Sequence, residues 1–362
     1  CIAGFLMMML FCSPRHSRIA AMPWALCYAR SSSVAYSVIF SLLFSVGLAL
    51  LSQGSVAASD AAASGFYPLP AAEDHIVGGL STTTAVEEDT LALIGRRTRT
   101  GYGAIRAANP HVDAWLPGEG TQVLLPTWHI LPEAPRKGIV INTAEMRLYH
   151  FEPESAERPA RVGVYAISIG RGGRETPLAT ARVTRKAQNP TWYPTDTIRA
   201  DRAARGTPVA AVVPPGPNNP LGTRALYLNL PAYLIHGTNR ELGIGMPVTA
   251  GCVRMYPEDV EYLYEQVPVG SQVEIVYQPV KAGWLGDALY VESHNPLGDL
   301  AITVDERVQQ LRVAIARTLG DRGDFTVDWD LVRVAAEAST GLPVPVGPIW
   351  LEHRVPEVAA TQ

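Results

Sequence analysis

Residues 235–255 read IHGTNRELGIGMPVTAGCVRM, and this stretch brings an imidazole at His236, a thiol at Cys252 and a guanidinium at Arg254 within 19 residues. The apolar run Tyr233-Leu234-Ile235 predicts a strand that ends at His236, where a side chain projects from a sheet rim. Glycines at 243, 245 and 251 then predict turns, and the one before Cys252 frees backbone N–H groups to face a developing oxyanion. A cysteine thiol titrates at about 8.5, so at neutral pH it needs a base or a positive neighbour to supply thiolate. His236 is the nearest such base in sequence, and acyl transfer through a cysteine nucleophile follows. The competing readings of Cys252 are a packed inert thiol and an intermolecular bridge.

Outward from this stretch, residues 137–279 alternate short β-forming runs with turn residues, which predicts a mostly-β domain. Gly138 to Asn142 and Met146 to Phe151 predict a hairpin around Thr143-Ala144-Glu145. Val162–Ile169, Ala181–Arg185, Ala225–Leu230, Tyr233–Ile235 and Val273–Tyr277 supply further strands. Pro257 opens a helix carrying Val260, Leu263 and Tyr264. Asn189 to Gly222 is rich in Pro, Asn and Gly and reads as a long functional loop without regular structure. Gly170-Arg171-Gly172-Gly173 lacks the Gly-Lys-Ser/Thr of a phosphate loop and reads as a β-turn.

The flanks differ in kind. Before Asp60 there is no acidic residue, whereas Arg15, Arg18 and Arg30 precede the apolar run VAYSVIFSLLFSVGLALL at 34–51, which is followed by Val56-Ala57-Ala58. Residues 1–58 therefore read as a secretory signal peptide, with an uncleaved anchor as the alternative, and 1–21, ahead of Met22, as an upstream extension of the reading frame. Contact with a membrane is expected only through this segment. Cys1, Cys12 and Cys27 fall inside it, so Cys252 is expected to be alone in the mature chain. Residues 59–73 read as a linker. In 74–132, Asp89 is expected to cap a short helix with Leu91 and Ile94, Tyr102–Asn109 to form a second, and Thr121–Leu125 a strand. Past 280, a hairpin over Trp284–Glu292, a helix from Thr303 with Val304, Val308, Leu311 and Ile315 on one face, and a weaker helix over Asp328–Ala338 predict a small α+β extension, 280–362.

The 362 residues are 47% hydrophobic and 18% charged, enough apolar matter for more than one core and too little charge for a disordered chain. A formal charge of −4 lacks the basic excess that phosphate neutralisation needs, so no nucleic-acid partner is expected. His75, His111, His129, His150, His294 and His353 show no metal-ligand spacing, and no metal or cofactor is expected.

His236-Gly237 followed by Thr249-Ala250-Gly251-Cys252-Val253-Arg254 resembles the catalytic signature of the L,D-transpeptidases of YkuD type. The similarity to the periplasmic erfK-like branch extends through Gly138–Asn142, Ser168-Ile169-Gly170, Thr176-Pro177-Leu178, Asn189-Pro190-Thr191-Trp192, Asn219-Pro220-Leu221-Gly222 and the Trp284 hairpin. Residues 74–132 resemble a LysM module in Glu88–Leu91, Ala108-Asn109-Pro110, Asp113, Gly120-Thr121 and Leu125-Pro126, with Glu88 where that family has Gly. The resemblance implies a β-sandwich catalytic domain with one or two helices, preceded by the small α+β module. It implies Cys252 as nucleophile, His236 as proton carrier, the Gly237 carbonyl as orienter of the imidazole, and Gly251 and Cys252 N–H groups as oxyanion donors. Arg254, Asn239 and Thr249 are implied on the substrate side. Ala250 and Ala179 depart from the family's usual His and Gly, so His236 must act without a second imidazole. The implied substrates are peptidoglycan stem peptides, with another stem or an outer-membrane lipoprotein carrying a C-terminal lysine as acceptor, in the periplasm. A non-catalytic wall-binding protein and a hydrolase are the alternatives.

Overall fold

The computed structural model describes residues 65–295, 302–320 and 326–347. The signal segment with its three cysteines, residues 59–64 of the linker and His353 lie outside these residues.

The N-terminal region holds strands β1 (Phe66–Pro68), β2 (Ile76–Gly78) and β3 (Ser81–Thr84), helices α1 (Leu91–Thr98) and α2 (Tyr102–Ala108), and strands β4 (Gln122–Leu125) and β5 (Trp128–Ile130). β3 pairs antiparallel with β4 and the two helices close over them, burying Leu91, Ile94, Ile105 and Val123. The first helix is capped by Thr90, whose hydroxyl accepts the Leu93 N–H, and not by Asp89 as expected. Asp89 instead accepts the Val86 N–H at 2.9 Å and pairs with Arg97 at 2.5 Å, so its carboxylate closes the preceding turn. Part of the stretch read as linker is also structural: β1 pairs with a strand of the next domain, Tyr67 opposite Val162.

That domain contains β6 (Gly138–Asn142), β7 (Arg147–Glu152), β8 (Arg161–Gly170), β9 (Ala179–Gln188), α3 (Asp196–Ala204), β10 (Arg224–Leu228), β11 (Leu234–His236), β12 (Pro247–Thr249), β13 (Val253–Met255), α4 (Pro257–Gln266) and β14 (Gln272–Val276). The hairpin β6–β7 is covered on both faces. Ile139, Ile141 and Leu148 enter the main core, whereas Val140, Tyr149 and Phe151 pack outward against Tyr67 and Leu131. Double coverage explains why GIVIN is a continuous apolar run and not an alternating one. Strand pairing runs β8-β13-β11-β10-β9-β14-β6-β7, and β7 pairs back onto β8. The mostly-β domain is thus one sheet closed through the ten-residue β8, with Val260 and Leu263 of α4 sealing the core. Gly170-Arg171-Gly172-Gly173 does turn the chain, through an Arg174 N–H to Arg171 carbonyl bond of 2.8 Å.

The segment 189–222 differs from expectation in containing α3. Thr195 caps it by accepting the Ile198 N–H, and none of its residues is buried, which is why no apolar periodicity announced it.

The C-terminal extension holds the hairpin β15 (Val280–Leu285) and β16 (Ala288–Ser293), helices α5 (Val304–Leu319) and α6 (Trp329–Ala338), and β17 (Val344–Gly347), around Trp284, Leu289, Leu311, Ile315 and Val332. Thr303 and Glu306 form a reciprocal cap on α5. Where this extension meets β7 a buried charge cluster forms. Lys281 Nζ lies 2.9 Å from Glu145 and 3.0 Å from Glu292, and Arg147 Nη1 lies 2.8 Å and 3.3 Å from the same two carboxylates. Burial opposes their ionisation, yet Lys281 and Arg147 hold both carboxyls below the usual range. His294, isolated by its sequence spacing, converges here and reaches Glu292 at 2.6 Å. The convergence comes from strands distant in sequence, which spacing alone does not reveal.

Candidate active site

β11 and β13 are parallel neighbours, with Ile235 opposite Val253 and His236 opposite Arg254. The same register sets Cys252, the residue before β13, beside Leu234. Directly paired residues share a face of a sheet, as do residues two apart in a strand, so Cys252, His236 and Arg254 fall on one face. The parallel pairing, closed by the loop 237–252, is what converts a spacing of sixteen residues into a constellation.

His236 is buried. Its Nδ1 lies 2.7 Å from the carbonyl oxygen of Gly237. A carbonyl only accepts, so the ring proton sits on Nδ1 and Nε2 carries the lone pair. Burial and the nearby charge of Arg254 push the imidazole down to about 3, against the pull of the Gly237 and Leu221 carbonyls. The Cys252 thiol is half-buried and donates to the Ala232 carbonyl at 3.4 Å. Burial pushes the thiol up, while the Leu234 N–H and the charge of Arg254 pull in the opposite direction. The resting pair is therefore a neutral thiol and a neutral imidazole. Arg254 favours the thiolate over the thiol, and the two carbonyls favour the imidazolium that proton transfer would create.

The loop before Cys252 is held by hydroxyls. Thr249 Oγ1 accepts the Gly251 N–H at 3.1 Å and donates to the Cys252 carbonyl at 2.6 Å. Thr249, implied on the substrate side, is thus committed within the chain, and so is the Gly251 N–H that was implied as an oxyanion donor. Asn239, also implied on the substrate side, donates through Nδ2 to the Pro217 carbonyl at 2.9 Å and ties the catalytic loop to the 189–222 segment. Gly251 adopts φ +114°, and a Cβ there would stand 2.8 Å from the Tyr233 ring. The position therefore requires glycine for both its backbone and its space.

Three further contributors were not singled out by side-chain chemistry. Thr176 Oγ1 accepts the Gly170 N–H at 3.0 Å and donates to the Gly251 carbonyl at 2.8 Å, bracing the nucleophile loop from behind. Ser168 donates to the Gly243 carbonyl at 2.7 Å. The N-terminal region also grips this loop: Tyr102 and Gly103 N–H groups donate to the Ile244 and Gly245 carbonyls at 3.0 and 3.1 Å, and Arg96 bonds Glu241. Gly103 allows that approach, since a Cβ there would stand 2.5 Å from the Gly245 oxygen. Thr176 and Ser168 did lie in stretches carrying the resemblance, which was their only signal. Ala250 is exposed and Ala179 begins β9, so neither removes a buried contact.

A family model of the L,D-transpeptidase catalytic domain, YkuD, matches residues 136–275. The Escherichia coli (strain K12) protein named "Probable L,D-transpeptidase YbiS" is 42% identical over 292 residues, covering 77% of this chain and 90% of that one. The chain belongs to the L,D-transpeptidase family. Two further relatives from the same organism, named "Probable L,D-transpeptidase ErfK/SrfK" and "Probable L,D-transpeptidase YcfS", are 39% and 37% identical over 285 and 288 residues. Each covers 77% of this chain, and the chain covers 90% and 88% of them. In this L,D-transpeptidase the matched domain ends before the C-terminal extension, but the relatives span most of the chain, so the family's similarity is not confined to the catalytic sheet.

Proposed function

We propose that this enzyme cleaves the bond between the diamino acid and the terminal D-alanine of a peptidoglycan tetrapeptide stem and transfers the acyl group to an amine. The observation that carries the reading is the common face of Cys252, His236 and Arg254, with Nδ1 of His236 turned to Gly237 and Nε2 left as the base. The Cys252 proton passes to Nε2 as Sγ attacks the carbonyl carbon of the third stem residue. The oxyanion forms where the Cys252 N–H can meet it, since the Gly251 N–H is held by Thr249. Collapse breaks the C–N bond, the imidazolium returns its proton to the departing D-alanine amine, and a thioester remains on Sγ. An amine then gives a proton to Nε2, attacks the thioester carbonyl and forms the new amide, and the proton returns to Sγ.

The acceptor is the side-chain amine of a second stem, giving a cross-link, or of a C-terminal lysine on an outer-membrane lipoprotein, giving an anchored protein. Export to the periplasm rests on the segment 34–51 and the small residues after it. The LysM resemblance of 74–132 supports a glycan-facing role for the region that grips the catalytic loop. Incubating the full chain with a disaccharide tetrapeptide and either amine, with product masses read out, tests the reading. Release of D-alanine with an amide-linked product supports transfer. Release with only hydrolysed tripeptide supports the hydrolase, and neither from folded protein supports the non-catalytic reading.

A further inference from the structure

The Gly237 carbonyl that receives the His236 Nδ1 proton belongs to a peptide with freedom to turn. Gly237 has no side chain, so rotation about its ψ angle would carry the carbonyl away from the ring and bring the Thr238 N–H toward it. Nδ1 would then accept, the ring proton would move to Nε2, and the base would be lost. The tautomer of His236 therefore depends on what holds the Gly237–Thr238 peptide. On one side of the residue, the Gly237 N–H donates to the Arg224 carbonyl of β10 at 3.1 Å. Its Cα is crowded, since a Cβ there would stand 3.1 Å from Val260 Cγ1 and 3.3 Å from the Leu221 oxygen. Gly222 lies against the peptide itself: a Cβ on Gly222 would stand 2.8 Å from the Thr238 nitrogen and 3.0 Å from the Gly237 carbonyl carbon.

Leu221 and Gly222 are in turn placed by Asn219, whose buried side chain spends both ends of its amide. Oδ1 accepts the Leu221 N–H at 2.9 Å, while Nδ2 stands 2.8, 3.2 and 3.2 Å from the carbonyl oxygens of Pro190, Val213 and Pro214. The Asn219 carbonyl also accepts the Gly222 N–H at 3.2 Å. One amide thus gathers three points of the 189–222 segment onto the turn that backs the Gly237–Thr238 peptide. The same turn sets the Leu221 carbonyl, one of the two that favour the charged ring. We propose that Asn219 is a positioning residue for His236: through Leu221 and Gly222 it fixes the Gly237–Thr238 peptide in the orientation that keeps the ring proton on Nδ1 and the lone pair on Nε2. This deepens the proposed transpeptidase reading and rests on it. Asn219 acts on the proton inventory of the base and touches neither substrate nor Cys252.

The test compares the full chain with Asn219→Leu, Asn219→Asp and Gly222→Ala, each checked for folding by circular dichroism. Ring nitrogens are read by NMR on protein labelled with 15N-histidine, His236 being assigned by its loss in His236→Gln, and acylation by a tetrapeptide donor is followed beside it. Wild type is expected to show Nδ1 protonated and Nε2 bare. Asn219→Leu and Gly222→Ala are expected to show a population with the proton on Nε2, and acylation slower by about tenfold or more, with donor KM within about twofold of wild type. Gly222→Ala disturbs the peptide without touching the Asn219 bonds, so it keeps the test alive should Asn219→Leu not fold. Asn219→Asp keeps an acceptor for the Leu221 N–H, but its second oxygen faces three carbonyls and replaces the amide only when protonated. Burial raises such a carboxyl, so acylation by Asn219→Asp should climb as pH falls from 8 to 5, where wild type stays level. Folded variants that acylate slowly with the wild-type tautomer would show that Asn219 only braces the segment, and would overturn the proposal. So would a change confined to KM, or a wild-type ring already protonated on Nε2. The NMR readout needs no turnover: wild type that never forms a thioester sinks the transpeptidase reading, while the link from Asn219 to the His236 proton stands or falls on the spectra.

Discussion

The imidazole of His236 is oriented by the carbonyl oxygen of its own neighbour Gly237, 2.7 Å from Nδ1. A neutral carbonyl fixes the tautomer without contributing a full negative charge, so the ring is not drawn upward in pKa as it would be by a carboxylate. Burial and Arg254 then dominate and hold it at about 3.

The first consequence is in the pH profile. With His236 neutral down to low pH, the rate of Cys252 acylation should keep its pH 7 value through pH 5 and fall only below that. Stopped-flow acylation between pH 4 and 8 checks this, and a half-loss near 6.5 would contradict the buried, carbonyl-oriented base.

Stability should respond to acid through the same group. His236 titrates near 6.5 when exposed and at about 3 when folded, so the unfolded chain binds more protons between those values. Its contribution to stability is complete above about 6.5 and declines as pH falls toward 3. His150, pushed down to about 4 chiefly by burial, adds in the same direction. Thermal melts are expected to drop steadily from pH 7 to pH 4, and a flat Tm over that range would argue against both assignments.

Thr249 braces Cys252 from both sides through one hydroxyl. Thr249→Val leaves a buried N–H and a carbonyl without that partner, which should destabilise by about 1–3 kcal/mol and slow acylation by at least about tenfold. Thr249→Ser keeps the bonds and should stay near wild type. Urea unfolding and acylation rates on the two variants distinguish a bracing hydroxyl from a mere packing residue.

Gly103, more than 130 positions before the nucleophile in sequence, touches the loop that carries it. Gly103→Ala puts a methyl 2.5 Å from the Gly245 oxygen, so the loop must move. Acylation should fall while the melting of the C-terminal extension is unchanged. An unaltered acylation rate would show that the N-terminal region does not set the loop's position.

Lys281→Met removes one cation from the buried cluster and leaves the two carboxylates with Arg147 and the His294 imidazole. Breaking such a pair costs about 3–5 kcal/mol. The prediction is a marked loss of Tm with donor KM unaffected, measured by calorimetry beside steady-state kinetics.

Much of this was legible in the residues themselves. The β6–β7 hairpin, the Thr303 and Asp328 helix starts and the Pro257 helix follow from local rules, because turn residues and caps act over four or five positions. The catalytic pair was legible for a different reason: a thiol, an imidazole and glycines in one stretch restrict the chemistry. Helix α3 was not, since a helix that buries none of its residues has no apolar period to read. Nor was the Lys281 cluster, whose meaning lies in which charged groups meet in space. Thr249 and Asn239 show the same limit, as their side chains stand in the site yet spend their hydrogen bonds on the backbone.

The most direct test of the central claim is the intact mass of the full chain after brief exposure to a tetrapeptide donor without amine, beside Cys252→Ala and His236→Gln. The account predicts a tripeptide-acyl adduct on wild type alone, mapped to Cys252 and labile to hydroxylamine, with D-alanine released in equal amount. An adduct that persists in Cys252→Ala, or folded wild-type protein that releases D-alanine without ever carrying one, would contradict it.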